Sequence, residues 1–205
     1  MEVCALILPL RNKKMKISPA EKHQSADIAR LIMEAMDLDC CQYFAGPQHN
    51  LHDFELLMTT LVEAENSQYS YRNTLVALNE AQQVLGACVT YDGKDLRQLR
   101  KAFLEGALKA FGRDFSAMED ETQEGELYID SLCVLKEFRH QGIASALLKA
   151  SIEKAKSLHI PAIGLLVDKG NPKAEALYQS LGFTYKNDAS WGGHPMKHLQ
   201  IIFRE

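Results

Sequence analysis

Hydrophobic spacing changes period several times along the chain, and each change marks an element. Ile28, Leu31, Ile32, Ala35 and Met36 line one face of a helix, with Asp27 or Ser25 as the expected N-cap. Phe54, Leu57, Met58 and Leu61 repeat that spacing, and residues 39–50 between the two runs read as an aromatic loop marked by Gly and Pro. Lys16-Ile17 before Ser18-Pro19 reads as a short strand and turn. Residues 74–78 and 84–91 are strand signals joined as a hairpin by the polar stretch 79–83. Leu96, Leu99, Phe103, Ala107 and Phe111 then return to helical spacing within residues 92–125. That segment ends in Glu119-Asp120-Glu121-Thr122-Gln123-Glu124, an acidic run expected to be a solvated loop.

The second half alternates strand and helix. Residues 127–134 are a strand with Cys133 expected inside. Ile143, Leu147, Leu148, Ile152, Ala155 and Leu158 form the buried stripe of a helix over 142–158, while Lys149 and Glu153 face solvent. Residues 163–167 are almost wholly apolar, as in a strand covered on both faces. Pro172 opens a helix that runs to Leu181 and is capped by Gly182. Residues 183–186 and 199–203 are the last strands. The class is mixed α/β, with no internal repeat.

The 205 residues allow one domain or two small ones. Residues 1–14 read as an N-terminal extension, and 15–205 as a single domain with a helical insert at about 92–125. With 23 basic against 27 acidic side chains, the balance argues against binding nucleic acid or an anionic membrane. No apolar run reaches the roughly 20 residues that span a bilayer. The apolar stretch 3–10 precedes Arg11, Lys13 and Lys14, the reverse of a secretory signal, so a cytoplasmic location is expected. Cys4, Cys40, Cys41, Cys88 and Cys133 show no C-x-x-C spacing and suit reduced thiols. The seven His are scattered, and no metal site is expected.

The chemistry sits at the junction of strand 127–134 with the helix after it, through Arg139-His140-Gln141-Gly142-Ile143-Ala144-Ser145. Backbone N–H groups at a helix start have no partner within the helix, and the dipole there favours anions, so this turn is a phosphate cradle. Gly142 brings the backbone close, and Arg139 adds charge. The G-x-G-x-x-G and Walker patterns are both absent. The stretch resembles the R-x-x-G-x-A motif of GCN5-related N-acetyltransferases. Asn171, Ala174, Tyr178, Gly182 and Phe183 resemble that family's N-x-x-A-x-x-x-Y-x-x-x-G-F block, in the same order along the chain.

The resemblance implies the family's fold over 15–203: a mixed central sheet of six to seven strands, flanked by helices, with a V-shaped splay between the fourth and fifth strands. It implies acetyl-CoA as co-substrate, its pantetheine arm against Leu132, Cys133, Val134 and Asn171. Its pyrophosphate would lie on Arg139, His140, Gln141, Gly142, Ile143, Ala144 and Ser145. Tyr178 matches the general acid that protonates the leaving thiolate. Asp130, in phase with Leu132 and Val134, is the candidate base, with Tyr128 and Glu126 as alternatives. Some positions depart from the family: Lys136 replaces a proline, Ser18 an arginine, and Leu166 the glutamate of ribosomal-protein alanine acetyltransferases.

The expected reaction is direct acetyl transfer to a primary amine, on a small molecule or on a peptide. The alternative is a non-catalytic acyl-CoA sensor or structural module on the same fold. Tyr43, Phe44, His49 and His52 are candidates for one acceptor wall, and Trp191, His194, Met196 and His198 for the other. The insert either covers the acceptor site or builds a homodimer contact.

Overall fold

The computed structural model describes residues 15–203, so the expected extension and Cys4 lie outside the described residues. Seven strands form one sheet: β1 (Lys16–Pro19), β2 (Thr74–Leu78), β3 (Val84–Asp92), β4 (Leu127–Val134), β5 (Ala162–Asp168), β6 (Thr184–Trp191) and β7 (His194–Ile202). Their order is β1-β2-β3-β4-β5-β7-β6, and only β4 and β5 run parallel as neighbours. The helices are α1 (Ser25–Met36), α2 (Leu38–Ala45), α3 (Leu51–Glu63), α4 (Leu96–Phe111), α5 (Ile143–Ser157) and α6 (Pro172–Ser180). One core joins the sheet to α1–α4, around Phe44, Phe54 and Phe103. The other joins it to α5 and α6, around Leu147, Ile163 and Phe183. No helix among the described residues is long and apolar enough to cross a membrane.

Three local expectations are corrected. The expected loop over 39–50 is largely helix: Asp37 caps α2 by accepting from Asp39 N, and Gly46 ends it at φ 79°. Eight residues are too few for a clear period, but Cys41, Phe44 and Ala45 bury one face. Asn50 then caps α3, accepting from the N–H groups of His52 and Asp53 while Asp53 accepts from Asn50 N. Neither Asp27 nor Ser25 caps α1. The chain enters through a single 3₁₀ turn, Lys22–Gln24, which leaves Gln24 at the cap position, and Ser25 Oγ donates back to Lys22 O at 2.6 Å. The last two strands are much longer than expected because most of β6 is exposed and carries no apolar alternation. Gly192 and Gly193, both at positive φ, turn this hairpin.

The parallel contact positions the site. β4 and β5 pair only at Leu127↔Ile163, Tyr128↔Gly164 and Ile129↔Leu165. Beyond them β4 stays with β3 as far as Val134↔Gly86, and β5 stays with β7 as far as Asp168↔Met196. The two strands therefore diverge, and the edge of β4 that faces β5 is left without a strand.

A buried carboxylate closes the other end of this V. Glu126 accepts from Thr122 Oγ1 at 2.6 Å and Gln200 Nε2 at 2.9 Å, and lies 2.8 Å from His198 Nε2. These bonds hold its pKa below the usual carboxylate value despite burial. Gly164 makes room for it: a Cβ there would fall 1.9 Å from Glu126 Oε2 and 2.8 Å from His198 Nε2. Gly164→Ala is therefore expected to cost about 2–3 kcal/mol by overpacking, read as a lower urea midpoint at an unchanged m-value.

Candidate active site

Where β4 and β5 part, a cavity of about 330 Å³ opens between Asp130, Ser131 and Leu132 of β4 and, opposite, Asn171 at the cap of α6 with Ala174 and Tyr178 on that helix. Gln68, Tyr69 and Glu121 close it from the loops. A larger cavity of about 1070 Å³ shares Met36, Met118, Asn171, Trp191 and Met196 with it.

Asp130 stands in a cluster of polar side chains. Its Oδ1 accepts from Gln68 Nε2 at 3.2 Å and Tyr91 OH at 3.1 Å, and its Oδ2 from Ser131 Oγ at 2.8 Å. Tyr91 OH is also 3.1 Å from Glu121 Oε1. Glu121 pairs with the buried Arg100 guanidinium, which donates to Asp120 Oδ1 at 3.0 Å as well. Burial raises the Asp130 pKa, opposed by its three donors. Burial, and then the Asp130 charge, push Glu121 up to about 7. Gln68 is 3% exposed, and its Oε1 has no hydrogen-bond partner among the described residues.

Tyr178 faces the cavity from α6, its ring edge-on to Phe183 at 5.9 Å. Burial pushes its phenol up to about 12, so it keeps its proton across the working pH range. The helix that carries it is set by Asn171, whose Oδ1 accepts from Ala174 N at 3.1 Å, with Pro172 in the first turn.

The glycine turn precedes α5 and lies outside the cavity lining. His140 (φ 61°) and Gly142 (φ 81°) are both left-handed, and a Cβ on Gly142 would meet nothing within 4 Å, so backbone conformation is what selects glycine there. No side chain among the described residues caps α5, and no acid stands in its first turn. Arg139 is engaged elsewhere: Nε donates to Val134 O at 2.9 Å, and Nη2 meets Glu34 Oε1 at 2.5 Å. It ties the end of β4 to α1. Cys133 buries its thiol on the α1 side, where burial pushes it up to about 11.

The structure separates the three candidate bases. Glu126 is locked behind the sheet junction. Tyr128 is buried beside the Leu166 backbone, with its pKa raised far above the ordinary value. Asp130 alone combines a carboxylate with a face on the cavity. Of the acceptor-wall candidates, Tyr43, Phe44, Trp191, His194 and Met196 line the larger cavity. His49 packs on Phe111 at 5.0 Å, His198 is held by Glu126, and His52 lines neither cavity. Gln68, Tyr91, Arg100 and Glu121 were not foreseen. A signal did exist for Arg100, which falls on the apolar stripe of α4 between Leu96 and Phe103 and so needs a carboxylate partner.

No group of three or more His, Cys, Asp or Glu among the described residues could hold a metal ion. A profile of the Acetyltransferase (GNAT) family matches residues 33–183. The chain belongs to the GNAT family. A solved acetyltransferase is 31% identical, superposes with a TM-score of 0.74, and covers 91% of this chain and 98% of its own. An N-acetyltransferase from Staphylococcus aureus Mu50 shares the fold at a TM-score of 0.75 and 22% identity, covering 91% of this chain and all of its own. GCN5-related N-acetyltransferase 6, chloroplastic, of Arabidopsis thaliana is 36% identical over 69 residues. That match spans 34% of this GNAT chain and 24% of the plant protein.

The cluster has a signed effect on stability. An unfolded Glu121 ionises near 4.5, the folded one near 7, so the folded state binds more protons between these values. Stability contributed by this group is thus present at low pH and falls as pH rises from about 4.5 to 7, by on the order of 3 kcal/mol at most. Urea titrations across that range should show the decline, and Glu121→Gln should flatten it.

Proposed function

We propose that this GNAT chain transfers the acetyl group of acetyl-CoA directly to a primary amine, with Asp130 as base and Tyr178 as acid. The observation that carries this reading is that the two side chains, from β4 and α6, border one cavity at the open end of the strand splay. Acetyl-CoA supplies the activated acetyl thioester. Leu132, Cys133 and Val134 offer it an unpaired strand edge, with the Asn171 amide group nearby. Residues 139–145 offer backbone N–H groups at an uncapped helix start.

The amine arrives as an ammonium and must lose a proton before its lone pair can attack. Asp130 takes that proton. Gln68 Oε1, a buried acceptor without a donor, suits an N–H of the same nitrogen. The carboxamide orientation follows from Asp130, which needs the Nε2 donor. Tyr178 holds its phenolic proton toward the departing sulfur and gives it up as negative charge builds there. The acceptor is a small amine or a peptide amine, seated in the larger cavity among Tyr43, Phe44, Trp191 and Met196.

A thiol-release assay with acetyl-CoA over a panel of amines and peptides tests the reading. Thermal stabilisation by acetyl-CoA without turnover on any acceptor would overturn it in favour of a sensor. Tyr178→Phe should lower kcat about 100-fold and leave the acetyl-CoA Kd, measured calorimetrically, within about twofold. Asp130→Asn should lower kcat at least as much.

A further inference from the structure

We propose that Glu121, on the segment leading into β4, shares a single proton with Asp130 through the Tyr91 hydroxyl and thereby fixes the state of the base. Glu121 is in this sense a positioning residue, and the inference rests on the assignment of Asp130 as base.

The argument begins with proton counting. Tyr91 OH lies 3.1 Å from Glu121 Oε1 and 3.1 Å from Asp130 Oδ1. A phenol has one hydrogen to donate, and two anionic carboxylates can only accept. Both contacts are full two-centre hydrogen bonds when one carboxyl is protonated and donates to the Tyr91 oxygen while Tyr91 donates to the other; the alternative splits one hydrogen between two anions. The pair therefore carries one proton and one negative charge. The charge count agrees: full ionisation would set two neighbouring anions, buried Glu121 and half-buried Asp130, beside one buried cation, Arg100.

The donors decide where the negative charge rests. Gln68 Nε2 and Ser131 Oγ donate to Asp130. Arg100 donates to Glu121 Oε2, on the far side from Tyr91. With the proton on Glu121 Oε1, Asp130 accepts three hydrogen bonds as an anion and is ready as a base. When Asp130 takes a proton from the acceptor ammonium, the N–H bond breaks and an O–H bond forms on Asp130. The pair then holds two protons, and the Arg100 charge rests on Asp120. No other reactant is required.

The groups facing Asp130 are Tyr91 and Cys88 of β3, Tyr128 of β4, Tyr69 from the loop before β2, Arg100 of α4 and Glu121. Burial raises the pKa of each phenol and of the thiol, which keeps all four neutral at working pH. Among these groups only Glu121 can therefore exchange a proton with Asp130 there.

The test is a pH titration of side-chain carboxyl ¹³C shifts in labelled wild type, Glu121→Gln and Asp130→Asn, without acetyl-CoA or acceptor. In the wild type the two carboxyls should titrate in two coupled steps, each residue sensing both. In Glu121→Gln, Asp130 should titrate in one step near the lower of the two wild-type values, because Glu121 is already neutral there, and the higher step should vanish from its signal. In Asp130→Asn, Glu121 should titrate in one step, about one pKa unit or more below the higher wild-type value. If one variant fails to fold, the other still reads the coupling. Independent single-step titrations in the wild type, or an Asp130→Asn variant that leaves Glu121 within about 0.3 units of its wild-type value, would overturn the proposal. A merely structural Glu121 would lower stability and leave the Asp130 signal with the same single step in wild type and in Glu121→Gln. The failure of the base assignment is separate: full turnover by Asp130→Asn sinks it while leaving the shared proton to be seen or not.

Discussion

Everything at the site follows from two strands that pair for three residues and then separate. A β-strand edge must find hydrogen-bond partners, and the sheet around β4 and β5 is otherwise continuous. The gap is held at its closed end by Glu126, which fills the space where a longer side chain on Gly164 would sit and draws in Thr122, His198 and Gln200. A buried carboxylate with three partners is costly to disturb, since loss of any one leaves a polar group without solvent. The open end can therefore stay open. It leaves strand backbone to a ligand, and it sets Asp130 and Tyr178 across one cavity.

The cavity is also an electrostatic compromise. Asp130 must be anionic to act as a base, yet burial opposes the charge. Three donors and the nearby Arg100 favour the anion, while Glu121 opposes it unless Glu121 itself is protonated. Burial prevails, and the Asp130 pKa is raised above the ordinary carboxylate value. Glu126 is the contrast within the same strand region. Its donors outweigh burial, its pKa falls, and it serves structure.

Legibility in the sequence followed the physics of each element. Strands with apolar runs and the helices α1, α3, α4 and α5 carried their period in the chain, α6 was marked by Pro172 and Gly182 at its ends, and the motif residues at Gly142, Asn171 and Tyr178 announced the family fold. β6 escaped because a mostly exposed strand has no alternation to show. α2 escaped because eight residues barely exceed two turns. Asp130 became a candidate through the family resemblance and its phase with Leu132 and Val134, beside Tyr128 and Glu126, but its partners were not legible. Gln68, Tyr91 and Glu121 come from three separate segments, and no linear spacing brings them together. The acidic run 119–124 hid Glu121 because composition does not distinguish a solvated acid from one drawn inward by a buried arginine. Arg100 on an apolar stripe was the clue, and it could be read only by asking what would neutralise it.

The 92–125 segment is consequently more than a cover. Thr122 holds the carboxylate that closes the splay, and Glu121, one residue earlier, meets Tyr91, which also bonds Asp130. Phe115 and Met118 line the larger cavity, while Arg100 on α4 anchors Glu121 and Asp120. Met118, which lines both cavities, and Glu121, which lines the smaller one, lie three residues apart on the same short loop. A segment that only shielded the site would have no reason to place a buried carboxylate at its end.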